Sequence, residues 1–90
     1  MKEIEIIVSG RVQGVCYRGF VLHGANELNI KGYARNMING DVKIVAVGEE
    51  SILNFFINML REGPPMARVN DIQTSEIIIS EEFSSFSIKY

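Results

Sequence analysis

The chain has 90 residues, of which 47% are hydrophobic and 22% charged. That is ordinary globular chemistry, too apolar for a disordered tail, and enough for a single domain over residues 1–90 but not two, since so short a chain buries only roughly 60–65% of its unfolded surface. A formal net charge of -2 gives no broad cationic field, so a nucleic-acid backbone is excluded as a natural partner.

The lone cysteine, Cys16, has no thiol for an intrachain disulfide and no companion ligands for zinc, which suits a reducing compartment. Met1-Lys2-Glu3-Ile4-Glu5 puts acids where a signal peptide needs a basic start, and no apolar run approaches ~20 residues. A soluble cytoplasmic monomer with no membrane contact is expected.

In chain order, Ile4 to Val8 is rich in β-branched residues and reads as a mostly buried strand stopped by Ser9-Gly10. A loop with Gly10 and Gly14 follows. The spacing of Val21, Ala25 and Leu28 then predicts a helix from about Arg18 to Asn29. Lys31 to Ile38 and Asp41 to Val47 flank Asn39-Gly40, the dipeptide that best tolerates the positive φ angles of a tight hairpin. Ile52, Leu53, Phe56, Met59 and Leu60 paint one face of a second helix, which Gly63-Pro64-Pro65 ends. Ala67 to Ile79, with its run Ile77-Ile78-Ile79, and Phe83 to Tyr90 are both strand-like, and at least one belongs to a sheet. The order β-α-β-β-α-β predicts an α/β (α+β) fold of the ferredoxin-like split βαβ kind: an antiparallel sheet with two helices on one face.

Ser9 to Arg18 carries the most chemical information, because it joins a strand to a helix start through Gly10 and Gly14. Unpaired amides and the positive end of the helix dipole hold phosphate there, and Arg18 would add a charge-assisted, bidentate contact. Taken alone, the stretch reads equally well as a plain loop with a surface arginine. No Gly-Lys-Ser/Thr and no G-x-G-x-x-G occurs, which disfavours a nucleotide cradle. A thiolate phosphatase wants cysteine and arginine at opposite ends of its phosphate loop, whereas only Tyr17 separates Cys16 from Arg18. Cys16 is therefore read as a bystander.

Gly10-Arg11-Val12-Gln13-Gly14-Val15-Cys16-Tyr17-Arg18 closely resembles the first signature of the acylphosphatase family. Gly32-Tyr33-Ala34-Arg35-Asn36, followed by Gly40, Val42 and Gly48, is similar to the family's strand-turn-strand signature. Lys31, Gly63-Pro64-Pro65, Ala67-Arg68-Val69 and the closing Phe86-Ser87-Ile88-Lys89-Tyr90 extend the resemblance over nearly the whole chain. Tyr17 departs from the usual Phe or Met and is expected to add a hydroxyl beside the loop. His23, in the first helix, is read as a surface residue, and Arg11 and Arg35 as solvated.

The resemblance implies hydrolysis of a small-molecule acyl phosphate to a carboxylate and inorganic phosphate, with no cofactor and no metal. By the same resemblance, Arg18 and the loop of Gln13, Gly14, Val15, Cys16, Tyr17 and Arg18 bind the phosphoryl group, while Asn36 orients the attacking water. Without the signature, Asn36 would read as a polar strand residue near a hairpin. Neither catalytic side chain is a useful proton acceptor. Such a sparse site suits a mixed anhydride, whose carboxylate departs without being protonated, and a reaction that rests on positioning and electrostatics.

An RNA-recognition module shares this topology, and Lys31-Gly32-Tyr33-Ala34 imitates the opening of its recognition motif. Arg35 and Asn36 break the imitation, and the motif falls on the second strand where the third is required. A non-catalytic anion-binding domain is the other alternative, which intact Arg18 and Asn36 disfavour.

Overall fold

The computed structural model describes residues 1–78 and 82–90. Seven elements follow one another: β1 Lys2–Arg11, α1 Tyr17–Glu27, β2 Lys31–Asn36, β3 Val42–Gly48, α2 Glu50–Glu62, β4 Arg68–Glu76 and β5 Phe86–Lys89. The strands form one sheet in the order β4-β1-β3-β2-β5. Ile6 lies opposite Ile44 on one side and Thr74 on the other, and Ala34 lies opposite Ile44. These pairings are antiparallel, whereas β5 joins the β2 edge in parallel, with Ala34 opposite Ile88. Both strand-like stretches of the C-terminal third thus enter the sheet.

The first strand, expected to be mostly buried, alternates instead: Ile4, Ile6 and Val8 are buried and their neighbours less so. They join Ala34, Val42, Ile44 and Ala46 in a core that Val21 and Ala25 of α1 and Leu53, Phe56 and Leu60 of α2 complete. Where the helices meet, Gly24 makes room for Met59, whose sulfur and terminal methyl occupy the space a Cβ would need. Burying a large apolar side chain contributes about 1.5–3 kcal/mol, so this one helix-facing layer holds the sheet and both helices together.

Several boundaries differ from the sequence reading, each for a local reason. The first strand does not stop at Ser9-Gly10. Its register shifts there in a β-bulge, Gly10 takes φ 123°, and pairing continues to Arg11. A Cβ on Gly10 would run into the Arg68 carbonyl, so glycine here permits close strand approach and is no terminator. Helix α1 ends at Glu27, two residues before Asn29. Asn29 adopts φ 56°, its N–H bonds the Asn26 carbonyl at 3.2 Å, and the Ile30 N–H bonds that of Ala25 at 2.8 Å. Those two bonds are the Schellman pattern, with asparagine at the left-handed position.

In the hairpin only Gly40 takes a positive φ, 100°, and Asn39 does not. The Gly40 N–H bonds the Met37 carbonyl at 3.1 Å and the Met37 N–H bonds that of Asp41 at 2.8 Å, which makes a three-residue connection in place of a two-residue turn. β4 is an edge strand, mostly exposed, and it ends before the isoleucine run. The Ile77 N–H still bonds the Glu3 carbonyl at 3.0 Å, Ile78 is exposed, and Ile79 lies outside the described residues.

Candidate active site

The loop between β1 and α1 is fastened by its valines. Val12 and Val15 are buried in the core, while Gly14 and Cys16 between and after them are exposed. Gly14 has φ 73° and Cys16 φ 62°, so the chain curls through two left-handed residues before α1 begins. Cys16 is the N-cap of α1, yet no side chain caps the helix start and no acidic residue stands in its first turn. The orphan amides and the positive end of the helix dipole are left for an anion.

That loop forms one wall of a cleft of about 260 Å³, lined by Val12, Gly14, Cys16, Tyr17, Arg18, Gly19, Asn36, Ile88 and Tyr90. Arg18 is the second residue of α1 and Asn36 the last of β2. The fold therefore brings the two predicted catalytic residues together from elements that are separate in sequence. A larger cleft, about 330 Å³, is lined by Met1, Asn29, Lys31, Val47 and Phe83 among others. It contains none of the predicted site residues, so chemistry and not volume identifies the site.

Arg18 is held from the β5 side. One Nη donates to the Lys89 carbonyl at 3.4 Å, and the Cζ stands 4.9 Å from the centre of the Tyr90 ring, within cation–π range. Tyr90 belongs to the closing segment that carries the resemblance, but no spacing in the sequence ties this aromatic to Arg18. Asn36 is half-buried, and its Oδ1 is fully buried with no hydrogen-bond partner among the described residues. An unsatisfied buried acceptor costs about 1–3 kcal/mol, and such orphans call for an explanation such as a functional role.

Two predicted binding residues behave otherwise than their loop position suggests. The Gln13 amide turns away from the cleft and donates to the Met37 and Asp41 carbonyls at 2.8 and 2.9 Å. The Tyr17 hydroxyl does not stand beside the loop. It points into the core and donates to the Leu60 carbonyl at 2.8 Å, with only 1% of the residue exposed. Burial pushes its phenol well above the ordinary tyrosine range, because the phenolate would lose its water. Val15 buries its side chain in the core and is not among the residues that line the cleft.

Away from the cleft, His23 is exposed and lies 3.7 Å from Glu27 one helical turn on, and Arg11 and Arg35 are exposed. Among the described residues, no group of three or more His, Cys, Asp or Glu side chains could hold a metal ion. No helix among them is long and apolar enough to cross a membrane.

Known proteins are similar to this one over all or nearly all of the chain. An acylphosphatase of Archaeoglobus fulgidus is 44% identical over 90 residues, covering 100% of both sequences. The crystal structure of acylphosphatase from Bacillus subtilis superposes with a TM-score of 0.95 at 39% identity, again covering 100% of each chain. The structure of an acylphosphatase from Coxiella burnetii gives a TM-score of 0.91 at 39% identity, over 98% of this chain and 92% of that one. The acylphosphatase family profile matches residues 4–88, and the chain belongs to the acylphosphatase family.

Proposed function

We propose that Arg18 and the backbone amides of the Gln13 to Arg18 loop hold the phosphoryl group of an acyl phosphate, and that Asn36 orients the attacking water. The reaction is that of the family: an acyl phosphate is hydrolysed to a carboxylate and inorganic phosphate. The observation that carries this reading is that Arg18 and Asn36 line one cleft together with residues of the curled loop.

Water attacks phosphorus, the bond from phosphorus to the acyl oxygen breaks, and its electron pair leaves on the carboxylate. The water proton passes to a phosphoryl oxygen of the substrate. No side chain is needed as base, and the weakly basic leaving group needs no acid. Tyr17 supplies neither, since its hydroxyl is committed to Leu60. Loop amides and the Arg18 guanidinium stabilise charge that spreads over the phosphoryl oxygens, in a reaction that asks little covalent chemistry of the protein. The half-buried Asn36 lines the cleft and its side-chain amide offers water a partner there.

This reading needs neither a metal ion nor a phosphocysteine. It places the enzyme in the cytoplasm, where the exposed Cys16 stays reduced, as one monomeric domain over residues 1–90.

The test is hydrolysis of a synthetic acyl phosphate, with and without exhaustive chelation, by the parent and two variants. Arg18→Ala should raise the inhibition constant of phosphate and lower kcat together, costing about 2–5 kcal/mol in all. Asn36→Ala should leave phosphate inhibition nearly intact while kcat falls about a hundredfold. A folded Asn36→Ala with near-normal kcat removes Asn36 from the mechanism.

A further inference from the structure

We infer that Gln13 is a positioning residue: its side chain pins the β2–β3 hairpin to the phosphate loop and thereby fixes where Asn36 stands, an inference that rests on Asn36 as the water-orienting group. A glutamine amide nitrogen carries two hydrogens. Both are spent here, one on the Met37 carbonyl at 2.8 Å and one on the Asp41 carbonyl at 2.9 Å. The side chain keeps no donor for a phosphoryl oxygen. Its sequence neighbours bind substrate through their backbone while it binds the hairpin.

The two acceptors are well placed for this. Met37 directly follows Asn36, and the Asp41 carbonyl also takes the Met37 N–H at 2.8 Å, so Gln13 grips the closing pair of the turn. Ile38 and Asn39 at the tip of the turn are exposed, and the two side-chain bonds of Asn39, donating to Asp41 Oδ2 at 3.1 Å and accepting from the Asp41 N–H at 3.0 Å, stay within the turn. The Asn36 side chain adds no restraint through Oδ1, which has no partner among the described residues. Its position relative to Arg18 is thus set by β2 pairing and by the peptide that Gln13 holds. Misplacing a reacting group by about 1 Å can cost about a hundredfold in rate, so one side chain 24 residues upstream of Met37 bears on the chemistry.

The experiment is a double-mutant cycle between Gln13→Met, which keeps length but has no donor, and Asn36→Ala. Steady-state hydrolysis of a synthetic acyl phosphate, inhibition by inorganic phosphate and thermal unfolding are measured for all four proteins. Gln13→Met alone should lower kcat about tenfold or more while phosphate inhibition stays within about twofold. In the Asn36→Ala background, the same substitution should change kcat by less than about twofold, because nothing remains to be positioned. Gln13→Glu, of the same length and with acceptors facing two carbonyls, should show the same pattern and serves where Gln13→Met does not fold.

An equal fold loss of kcat in both backgrounds, or parent-like kcat for Gln13→Met, overturns the positioning role while leaving the role of Asn36 intact. A rise in the phosphate inhibition constant as large as the fall in kcat assigns Gln13 to substrate binding and also overturns it. Near-normal kcat in Asn36→Ala overturns the water-orienting reading itself, and the positioning role falls with it.

Discussion

The Arg18 guanidinium faces the Tyr90 ring, with its Cζ 4.9 Å from the ring centre and an Nη 3.4 Å from the carbonyl of the preceding residue, Lys89. β5 runs parallel to β2, so the strand that ends at Asn36 and the segment that braces Arg18 reach the cleft from adjacent positions in the sheet. An arginine has many rotamers, and a phosphate site gains when one is selected before the ligand arrives.

Tyr90→Ala should therefore weaken phosphate inhibition and raise KM about two- to fivefold, the scale of an exposed cation–π contact of about 0.5–1 kcal/mol. Tyr90→Phe keeps the π face and should retain both constants. Unchanged constants in Tyr90→Ala would mean that the ring merely lies nearby.

Arg18→Lys should recover little of what Arg18→Ala loses. An ammonium on a flexible stem reproduces the charge, but not a planar fork able to bond the Lys89 carbonyl and a phosphoryl group at once. Comparison of kcat/KM for the two variants decides this. A lysine variant within about threefold of the parent would show that charge alone suffices, a difference below about 0.7 kcal/mol.

Short motifs in the sequence point to the candidate site, while tertiary packing decides where individual side chains go. The first-loop glycines and Asn36 are legible through the two family signatures that the chain resembles; taken alone, the loop reads equally well as a plain connection and Asn36 as a polar strand residue. The destination of a side chain is not legible in this way. Gln13 in the loop and Tyr17 at the start of α1 are close in sequence, yet Tyr17 sends its hydroxyl to α2, 43 residues away, and Gln13 its amide to the hairpin, 24 and 28 residues away. Gly10 was misread for a related reason: its need is the approach of Arg68, which only the fold supplies. Tyr90 escaped because the parallel docking of β5, not any local pattern, delivers it to Arg18.

Cys16 lines the cleft and is exposed, which makes it reachable without making it reactive in the catalytic cycle. Cys16→Ala should keep most of the turnover, and no phosphocysteine should be trapped in the parent. A bulky thiol reagent should inactivate the parent by occluding the loop, phosphate should protect against it, and Cys16→Ala should be resistant. Loss of turnover in a folded Cys16→Ala would give the thiol a direct role.

Tyr17 should leave its mark on stability at alkaline pH. Its phenol is buried and bonded to the Leu60 carbonyl, one of the last four of α2, which lack helical partners. Burial raises the folded-state pKa above the unfolded value of about 10. The stability this contributes is fully present below the unfolded pKa. Above it the unfolded chain gives up the proton and the folded one keeps it, so the native state loses about 1.4 kcal/mol per pH unit until the folded pKa is reached. Tyr17→Phe keeps the ring but removes both the hydroxyl and the titration. At neutral pH it should be less stable by about 1 kcal/mol, the worth of the hydrogen bond to Leu60. Between about pH 10 and 11 the parent should lose that advantage, and the two stabilities should converge and cross. Denaturant unfolding of both proteins from neutral pH to about pH 11 reads the gap directly, with the remaining tyrosines and lysines cancelling in the difference. A gap that stays constant through about pH 11 would show that Tyr17 ionises alike in the folded and unfolded chains, and that its hydroxyl is not held in the core as the Leu60 bond requires.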